Sequence, residues 1–262
     1  MFHGREIKRV VVKVGTSTLT HQSGHLNMQR IDHLCRVLSD IKNSGIDVVL
    51  VTSGAITAGV NKLKLKKRPD DIKGKQAAAS VGQSELMFLY DKFFSQYGYT
   101  VAQLLLTKSV TEDPQLRENV TNTLETLLNL GAIPVINEND AVAVEEIVYG
   151  DNDMLSAVTS SLINADLLII LSDIDGLYEE NPNENPDARL IPVVDEITAE
   201  IEAVAGGSVS GVGTGGMVTK INAAKFAVPH GTDVVIANGD RPEHLYEIIE
   251  GKPVGTLFKG SR

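Results

Sequence analysis

Short runs of β-branched and aliphatic residues recur along the chain, and most are apolar on both faces. They cover residues 10–14, 47–51, 99–106, 133–136, 167–171 and 234–237. A strand without a polar face must be covered on both sides, as in a largely parallel sheet between helices. The segments between the runs have helical spacing, for example 28–43 and 75–94. This alternation predicts an α/β fold, namely a three-layer α/β/α sandwich with an open, mainly parallel sheet.

The length of the chain is sufficient for one large α/β domain or two small ones. It has 262 residues, and we find no internal repeat and no segment with the composition of a linker. We therefore predict a single domain over residues 1–262. The longest apolar run, residues 167–171, is far shorter than the roughly 20 residues of a membrane span. The first ten residues lack the apolar core of a signal peptide, so we expect a cytoplasmic protein.

Composition excludes some kinds of site. Cys35 is the only cysteine, so neither an intrachain disulfide nor a thiolate metal cluster can form. The six histidines are scattered and suggest no ligand set or catalytic triad. A formal net charge of −10 repels nucleic acids and anionic membranes at long range. We therefore expect neither partner, and a bound polyanion such as ATP would need a local attraction.

Lys13 is unusual because it lies within a run that is otherwise suited to the protein interior, "RVVVKVGTS". A buried ammonium group without a partner costs several kcal/mol or loses its proton. This lysine therefore needs a nearby negative charge, and the glycine-rich segment described next leads us to expect a triphosphate as its source. The glycine, threonine and serine that follow it predict a turn at the end of the strand.

A glycine-rich segment, residues 206–216, contains six glycines in eleven residues and precedes a predicted helix. Such a segment lets backbone N–H groups approach phosphate oxygens closely, although a flexible surface loop before a helix is the alternative. Lys220 follows within one helical turn. Lys13 and Lys220, each beside glycines, have the arrangement expected for two point charges around a phosphate chain.

Small and polar residues follow several predicted strands, in "VTSGAI", "VINENDAV" and "LSD", and "YGDNDML" adds a further polar segment. The carboxyl ends of strands form the ligand crevice of open α/β sheets, so these segments are candidates for the site. Two readings stay open for "VINENDAV" and "YGDNDML": polar turns with a helix cap, or a functional role. "VTSGAI" is either a small-residue turn or a place where Ser53 and backbone N–H groups hold a carboxylate.

The motifs "VVKVGTS", "VTSGAITAG", "VINENDAVA", "GDNDMLSA" and "GTGGMVTK", followed by "VGTLF", occur in this order. Together they closely resemble the amino acid kinase family, and within it the members that phosphorylate glutamate. The resemblance covers essentially the whole chain. It implies an acceptor-binding part up to about residue 165 and a nucleotide-binding part from about residue 166. Many members carry an additional C-terminal domain of an RNA-binding type, and we expect none here, because the sequence stops after "GTLFKGSR".

The resemblance also implies a role for each matching residue. Lys13 and Lys220 would bind the phosphates as catalytic residues, and Asp153 would orient them. The implied glutamate-binding residues are Ser53, Gly54, Asn137, Asp140 and Asn152. The implied nucleotide-binding residues are Lys13, Ser172, Asp173, Thr214, Gly215, Gly216, Met217, Val218, Thr219 and Lys220.

The implied reaction is the transfer of the γ-phosphoryl group of ATP to the side-chain carboxylate of L-glutamate, the first step of proline biosynthesis. Mg²⁺ would be held mainly by ATP oxygens and water, so no protein ligand set is predicted. The resemblance further implies a homo-oligomer, dimer or tetramer, and feedback inhibition by proline.

Two alternatives to this reaction remain. One is a kinase of the same fold that acts on another small acid or on a nucleoside monophosphate. A monophosphate acceptor usually calls for arginine, which none of the quoted motifs contains. The other is a sensor that binds an amino acid or a nucleotide without catalysis.

Overall fold

The structure is a computed structural model that describes residues 2, 4–142, 152–182, 184–207 and 216–261. The chain divides into two compact units. The C-terminal unit comprises Met1–Lys13 and Tyr149–Arg262, and the N-terminal unit comprises Val14–Val148. Within the described residues the strands are mainly parallel and lie between helices, which confirms the predicted fold class.

The elements follow one another in strand and helix alternation through most of the described residues. The strands are β1 (Arg9–Val14), β2 (Asp47–Val51), β3 (Val101–Leu106), β4 (Ile133–Glu138), β5 (Leu167–Ser172), β6 (Val193–Val194), β7 (Asp233–Asn238) and β8 (Thr256–Phe258). The helices are α1 (Thr16–Leu19), α2 (Met28–Asn43), α3 (Ala55–Lys62), α4 (Ile72–Gln96), α5 (Ser109–Glu112), α6 (Pro114–Asn129), α7 (Asn152–Leu162), α8 (Ala199–Gly207), α9 (Met217–Ala227) and α10 (His244–Ile249). A 3₁₀ turn, Val228–His230, follows α9.

In the C-terminal unit the strand order is β1-β5-β7-β8-β6. Strands β5 and β7 are parallel, with Leu167 opposite Asp233 and Ser172 opposite Asn238, whereas β8 is antiparallel to β7. The residues of β5 from Leu167 to Leu171 are fully buried, as a strand covered on both faces requires. The polar residues at the ends of β5 and β7 therefore lie at the same edge of the sheet.

In the N-terminal unit the strand order is β3-β4-β2, and both outer strands are parallel to β4. The N–H of Thr52 donates to the carbonyl of Ile136, which continues the pairing just beyond β2. The turn that leads into α3 and the segment that follows β4 consequently start from the same edge of the sheet. Three of the predicted acceptor-binding residues, Ser53, Gly54 and Asp140, lie in these two segments, and a fourth, Asn137, lies near the end of β4.

Helices α3 and α4 of the N-terminal unit pack backbone against backbone. A Cβ atom built on Gly82 of α4 would lie 1.7 Å from the carbonyl oxygen of Ala55 in α3. A Cβ on Gly59 of α3 would lie equally close, 1.7 Å, to the carbonyl oxygen of Ala78. No side chain fits in either gap, so the two glycines are what allows the first turn of α3 to contact α4.

The strand boundaries differ slightly from the sequence prediction. Strand β3 begins at Val101, not at residue 99, because the N–H of Tyr99 donates back to the carbonyl of Phe94 and closes the end of α4. Strands β4 and β5 extend by one or two residues into polar positions, to Glu138 and Ser172. Across the described residues, no helix combines the length and hydropathy needed to cross a membrane.

Candidate functional site

Two lysines that are far apart in the sequence meet at one carboxylate in the C-terminal unit. The Nζ of Lys13, in β1, is 2.7 Å from Oδ1 of Asp153, in α7. The Nζ of Lys220, in α9, is 3.1 Å from Oδ2 of the same carboxylate. Both lysine side chains are 4% exposed and that of Asp153 is 0% exposed. The structure thus brings together the three residues that the sequence analysis named as catalytic, and we call them the lysine–aspartate cluster.

The local structure explains why the cluster forms around Asp153. Helix α7 begins at Asn152, so the carboxylate lies in the first turn, where the helix dipole favours a negative charge. Lys220 also lies in a first turn, that of α9, where the dipole disfavours a cation. Helices α7 and α9 pack against each other. The contact with Asp153 therefore stabilises a lysine that its own helix does not.

The charges of the cluster do not balance. Its three groups carry two formal positive charges and one negative charge, and all three are buried. Asp153 supplies the negative charge that a buried Lys13 needs, so this need is met within the protein even before a ligand binds. Buried charges are costly unless they are paired, and the carboxylate of Asp153 contacts both ammonium groups.

Thr219 adds a hydrogen bond to the same carboxylate. Its hydroxyl lies 2.9 Å from Oδ2 of Asp153 and 2.8 Å from the carbonyl oxygen of Gly216, and it can donate to either. Thr219, predicted to bind nucleotide, thus also contacts the central charge of the cluster. Of its neighbours, Met217 is buried and Val218 is 46% exposed, while Thr214 and Gly215 lie outside the described residues.

The predicted nucleotide contacts at the end of β5 form a polar edge. Ser172 is buried and its hydroxyl donates to Oδ1 of the exposed Asp173 at 3.1 Å. The carbonyl of Ser172 accepts from the N–H of Gly239, just beyond β7, at 2.8 Å. This edge belongs to the same unit as the lysine–aspartate cluster.

Most of the predicted acceptor-binding residues lie in the N-terminal unit. Ser53 and Gly54 follow β2, and Gly54 has a left-handed backbone with φ of 94° at the start of α3. Asn137 is buried near the end of β4, and Asp140 is two residues beyond that strand. Asn152, in contrast, is a buried residue of α7 in the C-terminal unit.

Glu138 has a perturbed titration that the sequence analysis did not anticipate. Burial, and secondarily the negative charge of Asp140, raise the pKa of Glu138 to about 7. The residue stands in the quoted motif "VINENDAV", but nothing in that motif distinguished its carboxylate from that of Asp140. The end of β4 therefore carries a carboxyl group that is partly protonated near neutral pH.

A protein-based metal centre is not evident in the part of the chain that the structure describes. No group of three or more His, Cys, Asp or Glu side chains there is arranged to hold an ion. Both oxygens of Asp153 already face ammonium groups. A divalent cation at this site would have to take most of its ligands from a bound substrate and water.

The chain is similar to known proteins of one family over nearly its whole length. The model of the amino acid kinase family matches residues 8–238. The chain is 54% identical to a glutamate 5-kinase of Clostridium perfringens over 97% of this chain and 96% of the relative. It is 53% identical to a glutamate 5-kinase of Listeria innocua, covering 97% of this chain and 94% of the relative.

Solved structures share the fold at low sequence identity. A UMP kinase of Bacillus anthracis has a TM-score of 0.66 at 18% identity, with 98% of each chain covered. An isopentenyl phosphate kinase of T. acidophilum, in a product complex, has a TM-score of 0.65 at 18% identity, with 96% of this chain and all of the other covered. These similarities support the same architecture.

Replacement of Asp153 by Asn is predicted to cost more stability than removal of Lys220. Asp153→Asn leaves two buried ammonium groups without this carboxylate, whereas Lys220→Met leaves one Lys13–Asp153 pair of opposite charges. We expect Asp153→Asn to lower the free energy of unfolding by about 3–5 kcal/mol, and Lys220→Met to lower it by less, in urea denaturation. Lys225→Met, at an exposed position of α9, is the control. An Asp153→Asn loss equal to or below that of Lys220→Met would contradict the charge balance described here.

Glu138 is predicted to make the free energy of unfolding fall as pH rises. Its pKa of about 7 in the folded chain exceeds the ordinary value of 4.5, so the folded state holds this proton more tightly. Between these two pH values the unfolded state binds fewer protons, and the contribution of Glu138 to stability is lost as pH rises. Glu138→Gln, an uncharged isostere, should therefore be more stable than the native chain at about pH 8 and similar at about pH 5.

The measurement is urea denaturation of both proteins across this pH range. Glu118→Gln, on the exposed face of α6 in the same unit, controls for the general loss of a negative charge. A stability difference that does not grow with pH, or that grows equally for the control, would show that Glu138 has an ordinary pKa.

Proposed function

Since the chain belongs to the amino acid kinase family, we propose that it transfers the γ-phosphoryl group of ATP to the side-chain carboxylate of L-glutamate. The products are ADP and L-glutamyl 5-phosphate, and the reaction is the first step of proline biosynthesis. The observation that carries this proposal is identity above 50% with glutamate 5-kinases over nearly the full length of both chains. The lysine–aspartate cluster supplies the chemistry that such a reaction requires.

The acceptor determines what kind of catalysis is needed. A glutamate side chain has an ordinary pKa of about 4.3 and is ionised at neutral pH, so it attacks without the help of a general base. A carboxylate oxygen forms a bond to the γ-phosphorus while the bond from that phosphorus to the ADP oxygen breaks. No proton needs to move. The enzyme must instead align two anions that repel each other and stabilise the charge of the moving group.

The cluster is suited to that electrostatic task. We assign Lys13 and Lys220 to the phosphates of ATP, where their ammonium groups offset the charge of the phosphoryl group in transfer. Asp153 offsets part of the charge of both ammonium groups and fixes their directions through its two oxygens. Thr219 holds one of these oxygens, which restricts the rotation of the carboxylate. The four side chains are thus placed before substrate arrives, as electrostatic catalysis requires.

The remaining nucleotide contacts are assigned to segments of the C-terminal unit. Ser172 and Asp173 at the end of β5 form one of them. The other is the segment from Thr214 to Lys220, whose described part begins at Gly216 and continues into the first turn of α9. A helix N-terminus offers backbone N–H groups to phosphate oxygens. The described part of this segment therefore presents both donors and a cation.

The acceptor is assigned to Ser53, Gly54, Asn137, Asp140 and Asn152. In this assignment Asp140 pairs with the α-ammonium group of glutamate, because the other four residues offer no negative side chain. Ser53 and the start of α3 suit a carboxylate, since hydroxyl and backbone N–H groups both donate.

Mg²⁺ is assigned to the nucleotide and not to a set of protein ligands. Bound there, it would neutralise part of the phosphate charge and help to orient the γ-phosphoryl group. We further propose that the protein acts in the cytoplasm as a homo-oligomer, and that proline, the end product, inhibits it.

The proposed reaction is tested by trapping its product with hydroxylamine. An acyl phosphate reacts to give a hydroxamate, whereas a phosphate ester or a phosphoanhydride does not. We expect hydroxamate and ADP with L-glutamate and ATP, and little product with aspartate, N-acetylglutamate or UMP. Hydroxamate with another acid alone would reassign the substrate. Nucleotide binding without ADP formation from any acceptor would favour the sensor alternative.

Both lysines of the cluster are predicted to be needed for turnover. Lys13→Ala and Lys220→Ala should each lower kcat by about 10²–10³-fold, as is typical when one electrostatic stabiliser of a transition state is removed. Circular dichroism verifies that the variants are folded, and Lys225→Ala, at an exposed position in α9, is the control. Near-normal turnover in either cluster variant would refute the assigned role of that lysine.

A further inference from the structure

Gln83 of α4 is a buried polar side chain with an unused donor. The residue is 8% exposed. Its Oε1 accepts a hydrogen bond from Nδ2 of Asn137 at 2.8 Å. Within the described residues its Nε2 has no hydrogen-bond partner. An amide N–H group that is removed from water without an acceptor is unfavourable, so such a group in a folded protein calls for an explanation.

The orientation of the amide is fixed by the backbone. The N–H of Glu138 can only donate, and it donates to Oδ1 of Asn137 at 2.9 Å. The other end of the Asn137 amide must therefore be Nδ2, which can only donate to Gln83. This requires Oε1 of Gln83 to face Asn137 and leaves Nε2 on the far side. Exchanging the two amide atoms of Gln83 would set two donors against each other, so the unused atom is a donor and not an acceptor.

Gln83 lies among the elements that carry the proposed acceptor residues of the N-terminal unit. Its amide contacts Asn137 at the end of β4. The preceding residue, Gly82, touches the carbonyl of Ala55, which directly follows Ser53 and Gly54. The Gln83 side chain thus contacts one of the segments that we assign to glutamate, and the preceding residue of α4 packs against the start of the helix that follows the other.

We infer that Gln83 is a substrate-binding residue whose Nε2 donates a hydrogen bond to a carboxylate oxygen of the amino acid acceptor. A carboxylate is the strongest acceptor that the proposed substrate offers, and hydrogen bonds to charged groups are stronger than those between neutral groups. The backbone N–H of Glu138 then orients the Asn137 amide, and the Asn137 amide in turn orients Nε2 of Gln83. This inference rests on the proposed function, because it takes glutamate as the ligand.

Two substitutions test the inference. Gln83→Met removes the donor. Gln83→Glu keeps an oxygen for Asn137 but replaces the donor by a carboxyl group, which donates only while it is protonated. We expect the KM for glutamate to rise roughly 10- to 100-fold in Gln83→Met at all pH values. In Gln83→Glu it should rise by a similar factor at about pH 8.5, and by less at about pH 6.5. The KM for ATP should stay within about twofold.

The pH dependence separates a substrate contact from a purely structural role. Gln96→Glu makes the same change at the exposed end of α4 and should leave both KM values unchanged. Glutamate KM values within twofold of the native chain in both Gln83 variants would overturn the inference. An equal rise in the KM for ATP and for glutamate would also overturn it, because that result indicates a general distortion.

A binding measurement distinguishes failure of this inference from failure of the proposed function. Glutamate should raise the melting temperature of the native chain, and Gln83→Met should need roughly 10- to 100-fold more glutamate for the same shift. If the native chain shows this shift but forms no hydroxamate, the proposed reaction is wrong and the inference about Gln83 stands. If native chain and variant respond equally to glutamate, Gln83 does not bind it.

Discussion

The carboxylate of Asp153 lies between the ammonium groups of Lys13 and Lys220, and the rest of the proposed mechanism depends on this buried arrangement. Two like charges in the protein interior repel each other and lose hydration, so neither lysine would be stable there alone. The carboxylate of Asp153, placed at a helix N-terminus, offsets part of both costs. In the proposed mechanism the two ammonium groups also attract the phosphates of the nucleotide.

The proposed acceptor segments of the N-terminal unit have a different chemistry. The amides of Asn137 and Gln83 pair with each other and the N–H of Glu138 donates to Asn137, while the negative charge of Asp140 contributes to the raised pKa of Glu138. Neutral donors can hold a carboxylate without lowering its nucleophilicity as much as a lysine would. This difference suits a substrate that must itself attack, whereas cations suit the group that is transferred.

The sequence predicts the sheet well because a doubly covered strand must be apolar on both faces, as in 167–171 and 234–237. It also singles out Lys13, since a cation inside such a run is conspicuous. It does not predict a binding role for Gln83, which lies in an alanine-rich helix. That role is inferred only from the contact of Gln83 with Asn137 and from the packing of the neighbouring Gly82 against α3. The raised pKa of Glu138 likewise cannot be predicted from the sequence, because it is caused mainly by burial, and burial depends on tertiary packing. The resemblance implied roles for Asp153 and Thr219, and the structure adds a hydrogen bond between their side chains.

The most direct test of the account is a crystal structure of the chain with Mg²⁺ and a non-hydrolysable ATP analogue. We expect the Nζ atoms of Lys13 and Lys220 to lie within hydrogen-bond distance of phosphate oxygens while Asp153 still contacts the two lysines. Phosphates that bind elsewhere, or that touch only one of the lysines, would contradict it.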